Sequence, residues 1–208
     1  MITVFDVVED VLGPDFLLWG SVLFIKEPDS PHYVSWHQDA TYMGLDPHQG
    51  VTPWLALSPS NTVSGCMRMI PGSHRQSIQN HRDTFDQDNI LTRGQNIEGI
   101  DDDSAVDLIL RPGQLSIHHP RTIHCSRPNR SDYRRIGIAL QEYIRPDVRQ
   151  VIGKGLALPC RGTDSPGHHQ ALSRPTADMT PDGVEQWKMA NDNWDQILYA
   201  GADKKRDF

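Results

Sequence analysis

The stretch YVSWHQDATY, residues 33 to 42, sets an imidazole and a carboxylate one residue apart at His37 and Asp39. In an extended chain alternate side chains share a face, so these two can reach one divalent ion while Gln38 points the other way. The pair alone is a weak signal, because two polar residues at the solvated end of a strand give the same pattern. A further ligand must come from elsewhere among the ten histidines. His32, His48 and His81 lie in polar loop contexts, His74 ends a Pro-Gly-Ser-His turn, and His168-His169 falls in a Gly/Ser/Pro-rich stretch. His118, His119 and His124 remain, in QLSIHHPRTIHCS, which reads as paired strands.

His124 stands apart because it opens the stretch HCSRPNRSDYRR. Ser126 shares its face, and the turn Pro128-Asn129-Arg130-Ser131 brings Arg134 and Arg135 back alongside. Arg134 alternates with Ile136, Ile138 and Leu140, whereas Arg135 alternates with Gly137 and Ala139, which leave room beside it. A guanidinium over small residues and next to a hydroxyl can receive a carboxylate through a bidentate ion pair. Two histidines and one carboxylate on one face of an octahedral ion leave three positions open, the arrangement of non-haem Fe(II) oxygenases. A dicarboxylate with a 2-oxo acid end can fill two of them while its far end meets Arg135 and Ser126. Zinc hydrolysis is a rival use of the same ligands, but it gives no reason for the serine and arginine at this spacing.

These residues need strands to hold them. FLLWGSVLFIK (16–26), HYVSWHQD (32–39), WLALS (54–58), CMRMIP (66–71), QLSIHHPRTIHCS (114–126) and RRIGIALQEYI (134–144) are short, β-rich and separated by Pro/Gly turns. Without alternating helices, this spacing predicts a mainly β sandwich or jelly-roll barrel. Residues 75–107 are polar and acidic and read as a long insert over the barrel mouth. Residues 3–12 predict a helix with Val4, Val7, Val8 and Val11 on one face, and residues 182–200 an amphipathic helix packed outside the barrel. Its Trp187, Met189, Trp194 and Leu198 are expected to fill core.

With 208 residues the chain suits a single domain, with a core over about 15–147 and a C-terminal loop and helix over 148–208. A net charge of −7 argues against a nucleic-acid or anionic-membrane partner, and no apolar run approaches the roughly 20 residues that span a bilayer. Cys66, Cys125 and Cys160 are odd in number and scattered, which suits free thiols in the cytoplasm. The expected partner is a small molecule.

The segments WHQD (36–39), WLALSPSNTVSGCMRMIPGSH (54–74), RPGQLSIHH (111–119) and IHCSRPNRSDYRR (123–135) together resemble the phytanoyl-CoA dioxygenase family of Fe(II)- and 2-oxoglutarate-dependent oxygenases. The resemblance implies a cupin-like double-stranded β-helix with flanking helices, and His37, Asp39 and His124 as iron ligands. It implies Arg135, assisted by Ser126, as the anchor for 2-oxoglutarate, and Gln38 and Trp54 as lining of the cosubstrate region. Related halogenases have a small residue in place of the aspartate, so Asp39 favours hydroxylation of a C–H bond with O2, giving succinate and CO2. Family members carry a longer segment before the His-x-Asp strand, whereas 36 residues precede it here, so the N-terminal part of the family fold is expected to be short or missing. Cys125 stands where glycine is common.

Tyr42 and Arg68 fall near the expected barrel mouth. Arg68 interrupts an apolar run and either meets an anionic substrate or pairs with an acidic neighbour, the commoner fate of a buried charge. A small anionic metabolite is the expected substrate. The alternatives are a catalytically inactive metal-binding jelly-roll module and a cupin-like metal-dependent isomerase or hydrolase.

Overall fold

The structure is a computed structural model and describes residues 3–206. Short runs of β-branched and apolar residues between turns form short strands, which pair into two main curled sheets. Across the larger, eight-stranded sheet run Gln170–Ala171, Leu156–Arg161, Phe16–Leu18, Tyr143–Ile144, Gly50–Ala56, Arg135–Ala139 and Val22–Lys26, with Leu115–His118 joined to Gly50–Ala56. The smaller sheet holds Val34–His37, His124–Ser126, Met67–Met69 and Val106–Asp107. Trp54, Ala56 and Ala139 of the first sheet meet Met67 and Met69 of the second, so the core lies between the sheets of a jelly roll.

Three segments differ from the sequence reading in ways that matter for the site. The 16–26 run is two strands, because the chain turns at Trp19-Gly20-Ser21. Gly20 is needed there: a Cβ would come within 2.2 Å of the Trp194 ring. Asp39 does not continue the strand Val34–His37 but opens a 3-10 turn, Asp39–Thr41, after an extended Gln38. The segment 114–126 forms two strands as read, but they do not pair with each other: Leu115–His118 joins Gly50–Ala56, and His124–Ser126, after a turn at Pro120, joins Val34–His37 and Met67–Met69.

The helix Val4–Leu12 starts at a capping box between Thr3 and Asp6 and packs through Val4, Phe5, Val8 and Leu12 on Phe16, Val51 and Tyr143. Val11, expected on that face, is exposed, because the contact row runs along positions four apart. The helix Pro181–Leu198 begins at Thr180, whose hydroxyl accepts from the Gly183 N–H. Its C-terminal half is not merely outer packing. Trp194 stacks on Trp19 at 4.9 Å, and Tyr199 and Ala200 just beyond the helix donate or accept hydrogen bonds with Thr92 and Arg93 of the 75–107 insert. Helix end and insert together roof the barrel. Trp187, expected in core, is 65% exposed. No helix among the described residues is long and apolar enough to cross a membrane.

Candidate metal centre and cosubstrate cavity

Strand pairing assembles the centre. His124 is the register partner of His37 on the neighbouring antiparallel strand, and the 3-10 turn folds Asp39 back toward both. One ligand atom from each of His37, Asp39 and His124 lies within 4.8 Å of the others, and all three residues are buried. His37 Nδ1 lies 2.9 Å from the Ser35 carbonyl oxygen, and His124 Nδ1 2.9 Å from that of Thr122. A carbonyl only accepts, so both Nδ1 atoms carry the proton and both Nε2 lone pairs face the centre. Burial and the neighbouring His37 push His124 down to about 3, which keeps its imidazole neutral and able to ligate.

Asp39 is held for the same purpose. Burial by itself would raise its carboxyl, but His124, His118 and His37 around it outweigh that and hold it well below the ordinary range. The Tyr42 hydroxyl donates to Asp39 Oδ1 at 2.7 Å. Burial and the Asp39 charge push that phenol well above its usual value, so it stays a donor. Two imidazoles and one carboxylate on the wall of a cavity fit a divalent ion that keeps open positions, and the donor set suits iron. Tyr42 thus faces the cavity and also fastens Asp39.

A cavity of about 440 Å³ opens from this centre. Arg135 lies on its wall, 2% exposed, with Nε unpartnered. Burial pushes the guanidinium down to about 10, and Cys66 is the one group that pulls the other way. Its Cζ lies over the Trp54 indole, 5.3 Å from the ring centroid. The room beside Arg135 that Gly137 leaves is taken by that indole: a Cβ at Gly137 would come within 2.0 Å of Trp54 Cζ2.

Sequence reasoning missed Lys26. It is fully buried beside Arg135, and its Nζ donates to Ser126 Oγ at 2.6 Å, to the Ser126 carbonyl at 3.3 Å and to the Arg127 carbonyl at 2.6 Å. Burial first, then the Arg135 charge, push its ammonium down to about 6. The one available signal was a lysine closing the apolar run VLFIK, which reads equally well as an exposed strand end. Ser126 lines the cavity and is engaged by Lys26.

Two expected contacts are not brought to the cavity. The Gln38 amide donates to the Arg121 carbonyl at 2.7 Å and accepts from the Gln79 N–H at 2.8 Å, so it pins the 76–82 loop instead. Arg68 pairs with Asp102 at 2.5 Å and Asp107 at 2.8 Å. It takes the acidic-neighbour alternative and leaves the cavity wall to others. The outer wall is apolar and comes from Trp19, Leu23, Phe24, Leu91, Trp194 and Leu198.

A family profile described as Phytanoyl-CoA dioxygenase (PhyH) matches residues 2–137. A relative from Stutzerimonas stutzeri, named a probable alpha-ketoglutarate-dependent hypophosphite dioxygenase, is 29% identical over 152 residues, 72% of this chain and 52% of its own. The peroxisomal phytanoyl-CoA dioxygenase of Bos taurus is 29% identical over 129 residues, 60% of this chain and 38% of its own. The chain therefore spans about half or less of the length of these curated relatives. Among solved structures, a non-heme monooxygenase, ThoJ in its apo form, superposes with a TM-score of 0.83 and 35% identity over 94% of this chain and 71% of that one. EvdO2 from Micromonospora carbonacea var. aurantiaca, complexed with 2-oxoglutarate, gives a TM-score of 0.55 and 26% identity over 79% of this chain and 63% of that one. The profile match includes His37, Asp39, His124 and Arg135, and on that match the chain belongs to the phytanoyl-CoA dioxygenase family.

Proposed function

We propose that the protein is an Fe(II)- and 2-oxoglutarate-dependent dioxygenase that hydroxylates a C–H bond of a small molecule. One observation carries the reading: a buried two-histidine, one-carboxylate cluster and an unpaired, buried arginine lie on the wall of one cavity. When bound, iron with 2-oxoglutarate and dioxygen supplies the oxidation, which turns the oxo acid into succinate and CO2 and places one oxygen atom in the substrate. His37, Asp39 and His124 hold the metal, with proton positions already set by Ser35 and Thr122.

Arg135 and Lys26 receive the far carboxylate of the oxo acid, and the Trp54 indole lies under the guanidinium. Asp39 supplies the third protein ligand, which supports hydroxylation over halogenation. The roof of Trp19, Trp194 and Leu91 excludes water and gives the substrate an apolar surface. The expectation of an anionic substrate loses its main support, because Arg68 is occupied by Asp102 and Asp107. A substrate with an apolar body fits this wall better than a bare oxyanion does.

The test is an anaerobic titration of metal-free protein with Fe(II) and then 2-oxoglutarate, following the visible charge-transfer absorption of the chelate. Loss of the absorption in His124→Ala and weakened oxo-acid affinity in Arg135→Ala are expected. Metal binding that is indifferent to 2-oxoglutarate and to Arg135→Ala would favour a hydrolase, an isomerase or a binding module.

A further inference from the structure

Beside the candidate metal cluster stand two buried polar side chains that no hydrogen bond among the described residues satisfies. His118 is 7% exposed and Thr52 2%, and neither ring nitrogen of His118 nor Thr52 Oγ1 has a hydrogen-bond partner. They are register partners across the antiparallel strands Leu115–His118 and Gly50–Ala56, and both line the cavity. Their exposed strand neighbour Ile117 marks the opposite face. Native proteins rarely leave buried polar atoms unpaired, so such a group facing a cavity marks a place for ligand atoms.

The position is specific. His118 Nε2 lies 3.5 Å from Asp39 Oδ2, and the His118 ring centroid is 4.8 Å from that of His124. The Asp39 oxygen can only accept, so it favours the tautomer with the proton on Nε2, directed to the metal side of the cavity. His118 is not among the mutually close ligand atoms of the cluster itself. It therefore faces what binds next to the metal. Gln38, the amide expected in this region, is turned away and bonded to the Arg121 carbonyl and the Gln79 N–H.

We propose that His118 and Thr52 form the polar subsite for the oxo-acid end of the bound 2-oxo carboxylate, complementary to Arg135 and Lys26 at its far end. This rests on the proposed oxygenase function. Imidazole N–H and threonine O–H are two donors set side by side, and the carboxylate of an oxo acid offers only acceptors. Loss of one such charge-assisted hydrogen bond corresponds to weakening on the order of tenfold.

The experiment uses redox-inert Mn(II)-loaded protein and calorimetric binding of two probes, 2-oxoglutarate and 2-oxovalerate, the second carrying the oxo-acid end without the far carboxylate. His118→Leu and Thr52→Val are each expected to weaken both probes by a similar factor, beyond any change in Mn(II) affinity, which Thr52→Val leaves unaltered. His118→Gln, which keeps an N–H donor in nearly the same place, is expected to restore most of the loss. Arg135→Ala should weaken 2-oxoglutarate alone. Unchanged affinity for both probes in His118→Leu and Thr52→Val overturns the subsite, and so does a fall in Mn(II) affinity that accounts for the whole loss. If the unaltered protein binds Mn(II) but neither probe, the oxygenase reading itself falls and takes the subsite with it. Thr52→Val is isosteric, so one variant remains measurable should His118→Leu fail to fold.

Discussion

Lys26 and Arg135 are register partners on adjacent antiparallel strands, so two buried basic side chains sit side by side. Burial and then the Arg135 charge lower the affinity of the Lys26 ammonium for its proton, and an anion bound beside the two groups offsets that cost.

The ammonium of Lys26, pushed down to about 6 by burial and Arg135, is mostly neutral at pH 7.5 in the ligand-free protein. A carboxylate bound beside the two groups raises that value, so binding takes up a proton. Affinity for 2-oxoglutarate is then expected to fall as pH rises from 7 to 9, by less than tenfold per unit. Calorimetry in buffers of different ionisation enthalpy measures the uptake, and Lys26→Met should remove it. A pH slope identical in the variant would sink the assignment. The same linkage fixes the sign for stability. The folded value lies below the unfolded 10.5, so the unfolded chain binds more protons between the two values. This group's contribution therefore becomes more favourable as pH rises through that window.

Gly137 and Trp54 give a second prediction. The indole occupies the space of a missing side chain, with 2.0 Å between Trp54 Cζ2 and a Cβ built at Gly137. Gly137→Ala must displace the ring from its place against Arg135. A loss of about 1–3 kcal/mol is expected from overpacking, read from denaturant unfolding. Weaker 2-oxoglutarate binding should accompany it. A variant of unaltered stability and affinity would mean that the ring is free to move.

The parts of the site that strand parity controls were legible in the sequence. Alternation separated Arg135 from Arg134, and it put Ser126 on the His124 face; in the structure Arg135 and Ser126 line the cavity while Arg134 pairs with Glu27 outside. Parity was the wrong reason for Asp39, which enters a 3-10 turn and reaches His37 by folding back. Long-range register was not legible. Lys26 comes to lie beside Arg135 only because its strand lies against Arg135–Ala139, and Thr52 meets His118 only through the pairing of Gly50–Ala56 with Leu115–His118. The C-terminal helix shows the same limit. Its apolar residues were readable, but its place over the cavity depends on contacts from Trp194 to Trp19, two segments far apart in the chain.

Arg68 is expected to act on the fold of the insert and not on ligand binding. It joins Met67–Met69 to Asp102 and Asp107, and Arg127 also reaches Asp102. Arg68→Ala should speed proteolytic cleavage between residues 101 and 108 and cost on the order of 1 kcal/mol, because both carboxylates are largely solvated. Oxo-acid affinity should stay within twofold. A tenfold loss of that affinity would return Arg68 to the binding site.

Tyr42 holds Asp39 through the 2.7 Å hydrogen bond to Oδ1, and its ring lies nearly parallel to that of His37 at 6.2 Å. Tyr42→Phe keeps the ring contact and removes the donor, so it isolates the hydrogen bond. Without it the carboxylate loses one of the interactions that keep it ionised against burial, and it gains freedom to turn. Metal affinity is expected to fall about tenfold, the lower end of what outer partners of metal ligands contribute. The measurement is competition for Mn(II) against a chelator at fixed pH. Because His124, His118 and His37 still hold the Asp39 carboxyl well below the ordinary range, the deficit should stay nearly constant from pH 7 to 5.5. Equal Mn(II) affinity for Tyr42→Phe and the unaltered protein across that range would show that the metal alone orients Asp39.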